Sequence, residues 1–490
     1  MENSTASWLG VIPLLCALGA LAAAVVPKGA RWLATAVSGL ALLLGLALLV
    51  SIYPRTVKVE WVALPWLPVP GLLGLRCDPL SSLLLFVVLG IGVLVVLFST
   101  AYLGPGNKDH PSRGGQNRYY FWLLLFIAAM SGVVLSPNFL QLFIFWEMTT
   151  ICSFALISFY DTPRSLAAGY KALLMTHIGG LFFLTALVVL YVHTRSFAFE
   201  AVNALGGHVL PLFYLLVLIG GFAKAAQGPF YTWLPDAMEA PTPISAYLHA
   251  AAMVKAGIYL VARVVLACNP MTREALAASG MAAVTAVVAI LTMFMALYLF
   301  FFQDDLKRLL ALSTITHLSY MLLGCALGLW GAWSSYQGAM LHLAAHAAGK
   351  ALLFLSVGAL AYFSGSRKIS ELAGVGPKLP LVAIGFFVGA LTVTGVPPFG
   401  GFFSKMMLIG GAVSLGGFGV WIGVLLLLES VMAFAWFLWV GQKVFFGRIS
   451  PLAAAIGTSS TPMGIALTAL IVLCLAVTLV GLPLVRQLNP

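Results

Sequence analysis

The sequence predicts an all-α membrane protein of about 14 transmembrane helices, two of them broken, built around two inverted five-helix repeats. Three observations lead there. The first is composition: of 490 residues, 62% are hydrophobic and only 8% are charged, against roughly 25% charged in soluble domains. No soluble fold hides that much apolar surface, so lipid must be the solvent. The second is the length and regular spacing of the apolar runs. The third is a likeness between the two halves of the chain.

A helix needs about 20 apolar residues to cross a bilayer. Fourteen runs qualify: 8–26, 32–52, 80–99, 118–136, 138–159, 166–192, 209–229, 242–267, 279–301, 306–327, 333–361, 379–411, 415–440 and 461–485. The first has no basic stretch before it, so it reads as a retained helix and not a cleaved signal peptide. The turn Ser136-Pro137 alone separates the fourth run from the fifth. No loop is long enough for a soluble domain, so residues 1–490 form a single membrane domain. Its parts are 1–110 with the first three helices, repeat one at 118–267, repeat two at 279–440 and a last helix at 461–485.

Two runs are interrupted. One breaks within Lys224-Ala-Ala-Gln-Gly-Pro229-Phe and the other within Gly395-Val-Pro-Pro-Phe-Gly-Gly401. The stretch 233–243 is too polar and proline-rich for lipid and must line protein or water. In it, Asp236 and Glu239 are expected at a cytoplasmic mouth, capping the helix that follows. Lys and Arg in short loops set orientation. With the N-terminus outside, the inner loops hold thirteen basic residues, Lys28 and Arg113 among them, and the outer side holds seven. Both termini are therefore expected outside, in a multi-pass protein of the inner (plasma) membrane. The net charge of +11 fits loops anchored to anionic headgroups and calls for no nucleic acid. The six cysteines are scattered without a CxxC pair, which points to apolar fillers and not to disulfides, zinc or iron–sulfur ligands.

The repeat rests on two strings. Lys171-Ala-Leu-Leu returns as Lys350-Ala-Leu-Leu, and Pro229-Phe as Pro398-Phe, at offsets of 179 and 169 residues. Each offset spans five helices. Five is odd, so the copies must be inverted, and breaks in inverted repeats commonly mark an ion path.

Titratable residues inside the spans supply the chemistry. A charge at the bilayer centre costs about 2.5–3.5 kcal/mol on insertion scales. Five lysines, Lys171, Lys224, Lys255, Lys350 and Lys405, lie within runs, with no arginine set beside them in that role. Lysine can release its proton when desolvated and arginine cannot. Lys171 is equally consistent with snorkelling from a helix end. Glu147 sits mid-run in Phe-Trp-Glu and can hold a neighbouring lysine charged; pulling such a pair apart would eject the proton. Glu429 is a second acid inside a run. His342, His346 and Lys350 share one helix face at i, i+4, i+8, and His177, His249 and His317 lie in other runs. Histidine titrates near neutral pH and shuttles protons. Within this middle relay Lys350 is expected to carry the largest share and His342 little. The pattern contains no nucleotide loop, metal-ligand set or cofactor motif. Catalytic, metal and cofactor residues are accordingly expected to be none, and any redox chemistry would belong to partner subunits.

At these residues the chain resembles the antiporter-like subunits shared by Mrp cation/proton antiporters, respiratory complex I and membrane-bound hydrogenases. The resemblance runs over roughly 76–445 and rests on FWE at 145–147, KAAQGPFYTWLPDAMEAPTPISAYLHAAAMVKAGIYL at 224–260, DLKRLLALSTITHLSYM at 305–321, HAAGKALLFL at 346–355 and GVPPFGGFFSK at 395–405. It is nearest to the N-terminal part of the Mrp A-type protein. The long lateral helix that complex I subunits carry and the further C-terminal helices of that A-type protein are expected to be missing. The resemblance implies that Glu147 pairs with Lys224, that His249, Lys255, His346 and Lys350 form a central relay, and that Lys405 is the terminal lysine. It further implies proton or Na+/H+ translocation within a multisubunit membrane complex. The alternative is a proton-pumping subunit of a redox-driven NADH dehydrogenase or hydrogenase. Two other readings are a self-sufficient solute transporter and a quinone- or haem-binding subunit.

Overall fold

Backbone amides denied water close their hydrogen bonds within the chain, so long apolar runs in lipid become helices. The computed structural model describes residues 8–26, 29–53, 55–60, 73–111, 114–454 and 460–488. Lys28 and Arg113, counted above among the inner basic residues, lie outside this set. In chain order the principal helices are α1 (Val11–Val25), α2 (Ala30–Ile52), α3 (Pro79–Tyr102), α4 (Gln116–Leu135), α5 (Phe139–Ile157), α6 (Pro163–Thr194), α7 (Val209–Lys224), α8 (Thr242–Ala250), α9 (Met253–Ala267), α10 (Met281–Phe300), α11 (Leu306–Leu329), α12 (Trp333–Ser364), α13 (Pro380–Thr394), α14 (Gly400–Ser414), α15 (Gly417–Phe445) and α16 (Thr461–Arg486), with a short surface helix at Pro270–Ala278 between α9 and α10. Among the described residues eleven helical spans are long and apolar enough to cross a membrane, with α8 and α9 taken together, and α1, α7 and α13 are shorter apolar helices.

Caps fix several starts. Asp78, Asn138 and Asp305 accept backbone N–H bonds at the heads of α3, α5 and α11, and Thr162 with Ser165 forms a capping box on α6. Asp236 and Glu239 do not cap α8 as expected. Its cap position is Pro241, with no side-chain bond, because two short helical turns over 233–239 carry both acids away from the helix start.

Among the described residues the breaks number three, not two. α7 stops at Lys224, α13 gives way to α14 across 395–399, and the 242–267 run is itself interrupted at Ala251 and Ala252. Nothing in that Ala-rich stretch signals a break; it puts His249 and Lys255 on opposite sides of the interruption. A second departure from all-α is a small antiparallel pair, β1 (Val57–Glu60) against β2 (Gly74–Cys77), with Val57 opposite Cys77. The alternation Val-Lys-Val-Glu is the period-2 pattern of a strand.

α12 is the hub. It packs against α3, α8, α11, α13, α14 and α16, and the central stretches of α11 and α12 are wholly buried. Glycines permit the close approaches. A methyl at Gly338 of α12 would lie 2.6 Å from Leu408 N on α14, and one at Gly257 of α9 would lie 2.6 Å from Gly221 O on α7.

Candidate functional site

Three polar clusters succeed one another through the core. The first surrounds Lys224, the last residue of α7. Its Nζ donates to Trp146 O and Thr150 Oγ1 on α5, both at 2.7 Å, and sits over the Trp146 ring at 4.6 Å from its centre. Glu147 does not join it: among the described residues no ion pair within 4.0 Å links the two, which corrects the expected contact. The reason is helical geometry. Trp146 and Thr150 are one turn apart and face α7, whereas Glu147 is about 100° further round and faces α6. There its Oε2 lies 2.8 Å from His177 Nδ1, and its Oε1 is buried without a partner among the described residues. Gly180 makes the room, since a methyl there would collide with Glu147 Oε1.

The second cluster is the relay at the centre of the bundle. Lys255 Nζ donates to His346 Nδ1 at 2.8 Å. His346 and His317 have ring centres 5.2 Å apart, and the Nε2 of each is buried without a partner among the described residues. A water between them would satisfy both. His317 Nδ1 lies 3.1 Å from His342 Nε2, and His342 Nδ1 lies 2.9 Å from Ser404 Oγ. His342 therefore bridges α11 to α14, a larger place than its spacing suggested. His249 is buried against Phe354 at 4.7 Å between ring centres, and neither nitrogen has a partner among the described residues. It makes no hydrogen bond to this line among the described residues. Lys350 bonds Leu310 O at 3.2 Å and, in a short contact, Ser313 Oγ. It branches from the line one turn below His346.

The third cluster holds Lys405. Its Nζ donates to Ser430 Oγ at 2.8 Å and Thr394 O at 3.2 Å, with Glu429 Oε2 at 3.9 Å and the Tyr320 ring centre at 4.6 Å. Tyr320 OH donates to Glu429 Oε2 at 2.5 Å. The buried lysine–glutamate pair thus occurs here, on α14 and α15, and not at Lys224.

Lys171 does not belong to the buried set. Its side chain is 37% exposed and pairs with Asp236 at 2.7 Å, and Asp236 also binds Arg308 at 2.7 Å. Both line a cavity of about 520 Å³ with Arg164, Glu239, Asp305 and Arg367. Lys171 and Lys350, equated by the repeat, thus occupy unlike surroundings. Lys307, counted with the loops, is buried and donates to Met238 O and Ala240 O at 2.7 and 2.6 Å. Arg263, inside α9, is buried in a bidentate contact with Asp78, so the buried cations are not all lysine.

Sequence reasoning missed Tyr320, Ser404 and Ser430, which carry the line from histidine to lysine, and Gln227, whose Oε1 accepts from Ser319 at 2.7 Å across the α7 break. A signal existed for two of them: Tyr320 follows His317 by three residues and Ser404 precedes Lys405. Among the described residues no group of three or more His, Cys, Asp or Glu side chains converges as a metal site, and the six cysteines are free and buried.

A multi-pass bundle whose core strings titratable side chains from helix to helix defines a class, the polytopic membrane proteins with a polar core. The chain belongs to the NADH:quinone oxidoreductase/Mrp antiporter transmembrane family, whose family model matches residues 136–433. A second, described as the N-terminus of NADH-ubiquinone oxidoreductase (complex I) chain 5, matches residues 66–120. The A1 protein of the Na(+)/H(+) antiporter of Staphylococcus aureus is 36% identical over 415 residues, 79% of this chain and 50% of that protein. The chain thus spans about half the length of the curated relatives it matches. A chain of the Mrp complex from Dietzia sp. superposes with a TM-score of 0.82 at 31% identity, covering 99% of this chain and 51% of that one. The fold is also that of a chain in the membrane-bound sulfane sulfur reductase, an archaeal respiratory membrane complex, with a TM-score of 0.83 at 22% identity over 99% of this chain and 96% of that one.

Proposed function

We propose that this chain is a proton- or cation-translocating, antiporter-like subunit of a multisubunit membrane complex. It would exchange H+ against a small cation such as Na+ along Lys224, Lys255, His346, His317, His342 and Lys405. The observation that carries the reading is the buried line Lys255–His346–His317–His342–Ser404, which ends beside Lys405. Imidazoles accept on one nitrogen as they give up a proton on the other, so such a line with one intervening water passes protons without moving heavy atoms far. The S. aureus relative, named as part of an Na(+)/H(+) antiporter, supports this class of activity.

Three further points belong to the proposal. The basic residues Arg164, Lys307, Arg308, Arg367 and Lys368 gather at the end of the bundle that holds Asp236; the positive-inside tendency makes that end cytoplasmic in a plasma membrane and puts both chain ends opposite. Helices α4–α9 and α10–α15 are read as the two inverted repeats. A second membrane subunit covers α5 and α6, because Glu147 and His177, mid-helix on both, are 21% and 51% exposed, and lipid is a poor neighbour for that pair.

The test is exchange in everted vesicles carrying the whole complex. Lys224→Arg should fail nearly as badly as Lys224→Ala, since arginine keeps the charge but cannot release the proton. Exchange restored by arginine would make Lys224 a fixed anchor and sink the reading.

A further inference from the structure

One buried polar group of the core, Arg263 with Asp78 and Tyr259, adjoins the translocation line at Lys255 but is not used by it. Lys255, Tyr259 and Arg263 recur every four residues on α9 and so form one stripe, all fully or almost fully buried. The stripe runs from the centre toward the end of the bundle opposite the Asp236 mouth, where Ala267 O accepts from Asn203. Tyr259 OH donates to Val134 O at 2.8 Å and accepts from Arg263 Nη2 at 2.6 Å. Arg263 Nη2 also reaches Ser81 Oγ at 2.9 Å and Asp78 Oδ1 at 3.1 Å. Its Nη1 contacts Asp78 Oδ2. Outward, Arg76 Nε lies 3.1 Å from Asp78 Oδ2, and Arg76 Nη1 lies 2.5 Å from Glu200, whose side chain is 53% exposed. Phe199 lies against both guanidinium groups.

A chain of polar groups therefore leads from a surface carboxylate to within one helical turn of the central lysine. Left open, it would short-circuit any gradient the lysine line maintains. Two features close it. Both cations in series are arginines, which hold their protons at any physiological pH, and a fixed buried positive charge repels a proton arriving on water. Cohesion alone does not account for the pair, because a buried salt bridge is often replaced by packed apolar residues without loss of stability.

We propose that Asp78 and Arg263 form a proton seal that isolates Lys255 from the end of the bundle bearing Glu200. The proposal rests on protons occupying Lys255, as in the function proposed above. The test uses the whole complex reconstituted in liposomes with a pH-sensitive dye inside, an imposed pH gradient and no exchangeable cation. Asp78→Asn/Arg263→Gln, which keeps hydrogen-bonding side chains but removes both charges, should raise passive proton leak several-fold. Arg263→Lys preserves the charge and the partner but offers a releasable proton, and it should leak as well. Adding Lys255→Met should return either variant to the wild-type leak. Assembled Arg263→Lys complex as tight as wild type would overturn the seal, as would a leak indifferent to Lys255→Met. Cation/proton exchange by the wild type in the same liposomes reads the translocation proposal separately: its absence sinks that proposal, whereas working exchange with tight variants sinks only the seal.

Discussion

His342 and Lys350 stand eight residues apart on α12 and show how little one helix face says about a path. Both point into the core, yet His342 joins two elements of the line, lying 3.1 Å from His317 on α11 and 2.9 Å from Ser404 on α14. Among the described residues Lys350 donates only to a carbonyl and a serine of α11, with the centre of the Phe437 ring on α15 5.5 Å away. Removing a bridging base should cost more than removing a branch. At matched assembly, His342→Ala should cut exchange on the order of tenfold or more, at least as deeply as Lys350→Ala. Near-normal exchange in the His342 variant would place the path elsewhere and restore the order that the sequence favoured. Glu147 teaches a related lesson. The residue was legible as an acid inside a run, but its partner was not, because a shift of one position on α5 turns a side chain from α7 to α6.

At the scale of elements, the breaks matter because they set lysines at the ends or flanks of interrupted helices, where carbonyls freed from the helix ladder become ligands. Lys405 bonds Thr394 O beside the α13–α14 break, and Lys224 closes α7. The close α7–α9 contact holds the Lys224 arrangement in place. A methyl on Gly257 would lie 2.6 Å from Gly221 O and 2.8 Å from Ala225 N, and backbone cannot swing aside as a side chain can. Gly257→Ala should therefore destabilise the protein by about 1–3 kcal/mol, read as a lowered thermal midpoint, and should weaken exchange as Lys224 shifts. An unchanged midpoint together with normal exchange would show that α7 and α9 part freely. The two breaks with proline and glycine were visible in the sequence. The third, at Ala251 and Ala252, was not, since alanine is a good helix former and only packing makes it leave the helix.

For the whole molecule, the outer face of α6 sets the relation to its surroundings. Leu174, Ile178 and Leu181 are exposed there beside His177. Lipid accepts a bulky apolar side chain, whereas a fitted helix does not. Leu181→Trp should leave the protein folded yet release a co-purifying membrane partner, checked by the composition of the purified complex. Wild-type amounts of every partner in that variant would leave the face to lipid.

The sequence by itself determined the solvent, the mostly helical membrane fold, two of the breaks and most of the titratable residues that lie within apolar runs. Hydropathy and the cost of an uncompensated charge in lipid act locally and can be read residue by residue. Tertiary structure decided which of those residues meet. It placed Lys171 beside the Asp236 cavity, buried Lys307, gave Lys405 and not Lys224 a glutamate within 4.0 Å, and set Arg263 against Asp78 across 185 residues of chain. Such pairings depend on helix rotation and on which helices adjoin. Both are fixed by packing across the bundle, through glycines such as Gly257 and Gly338 whose neighbours lie far away in sequence.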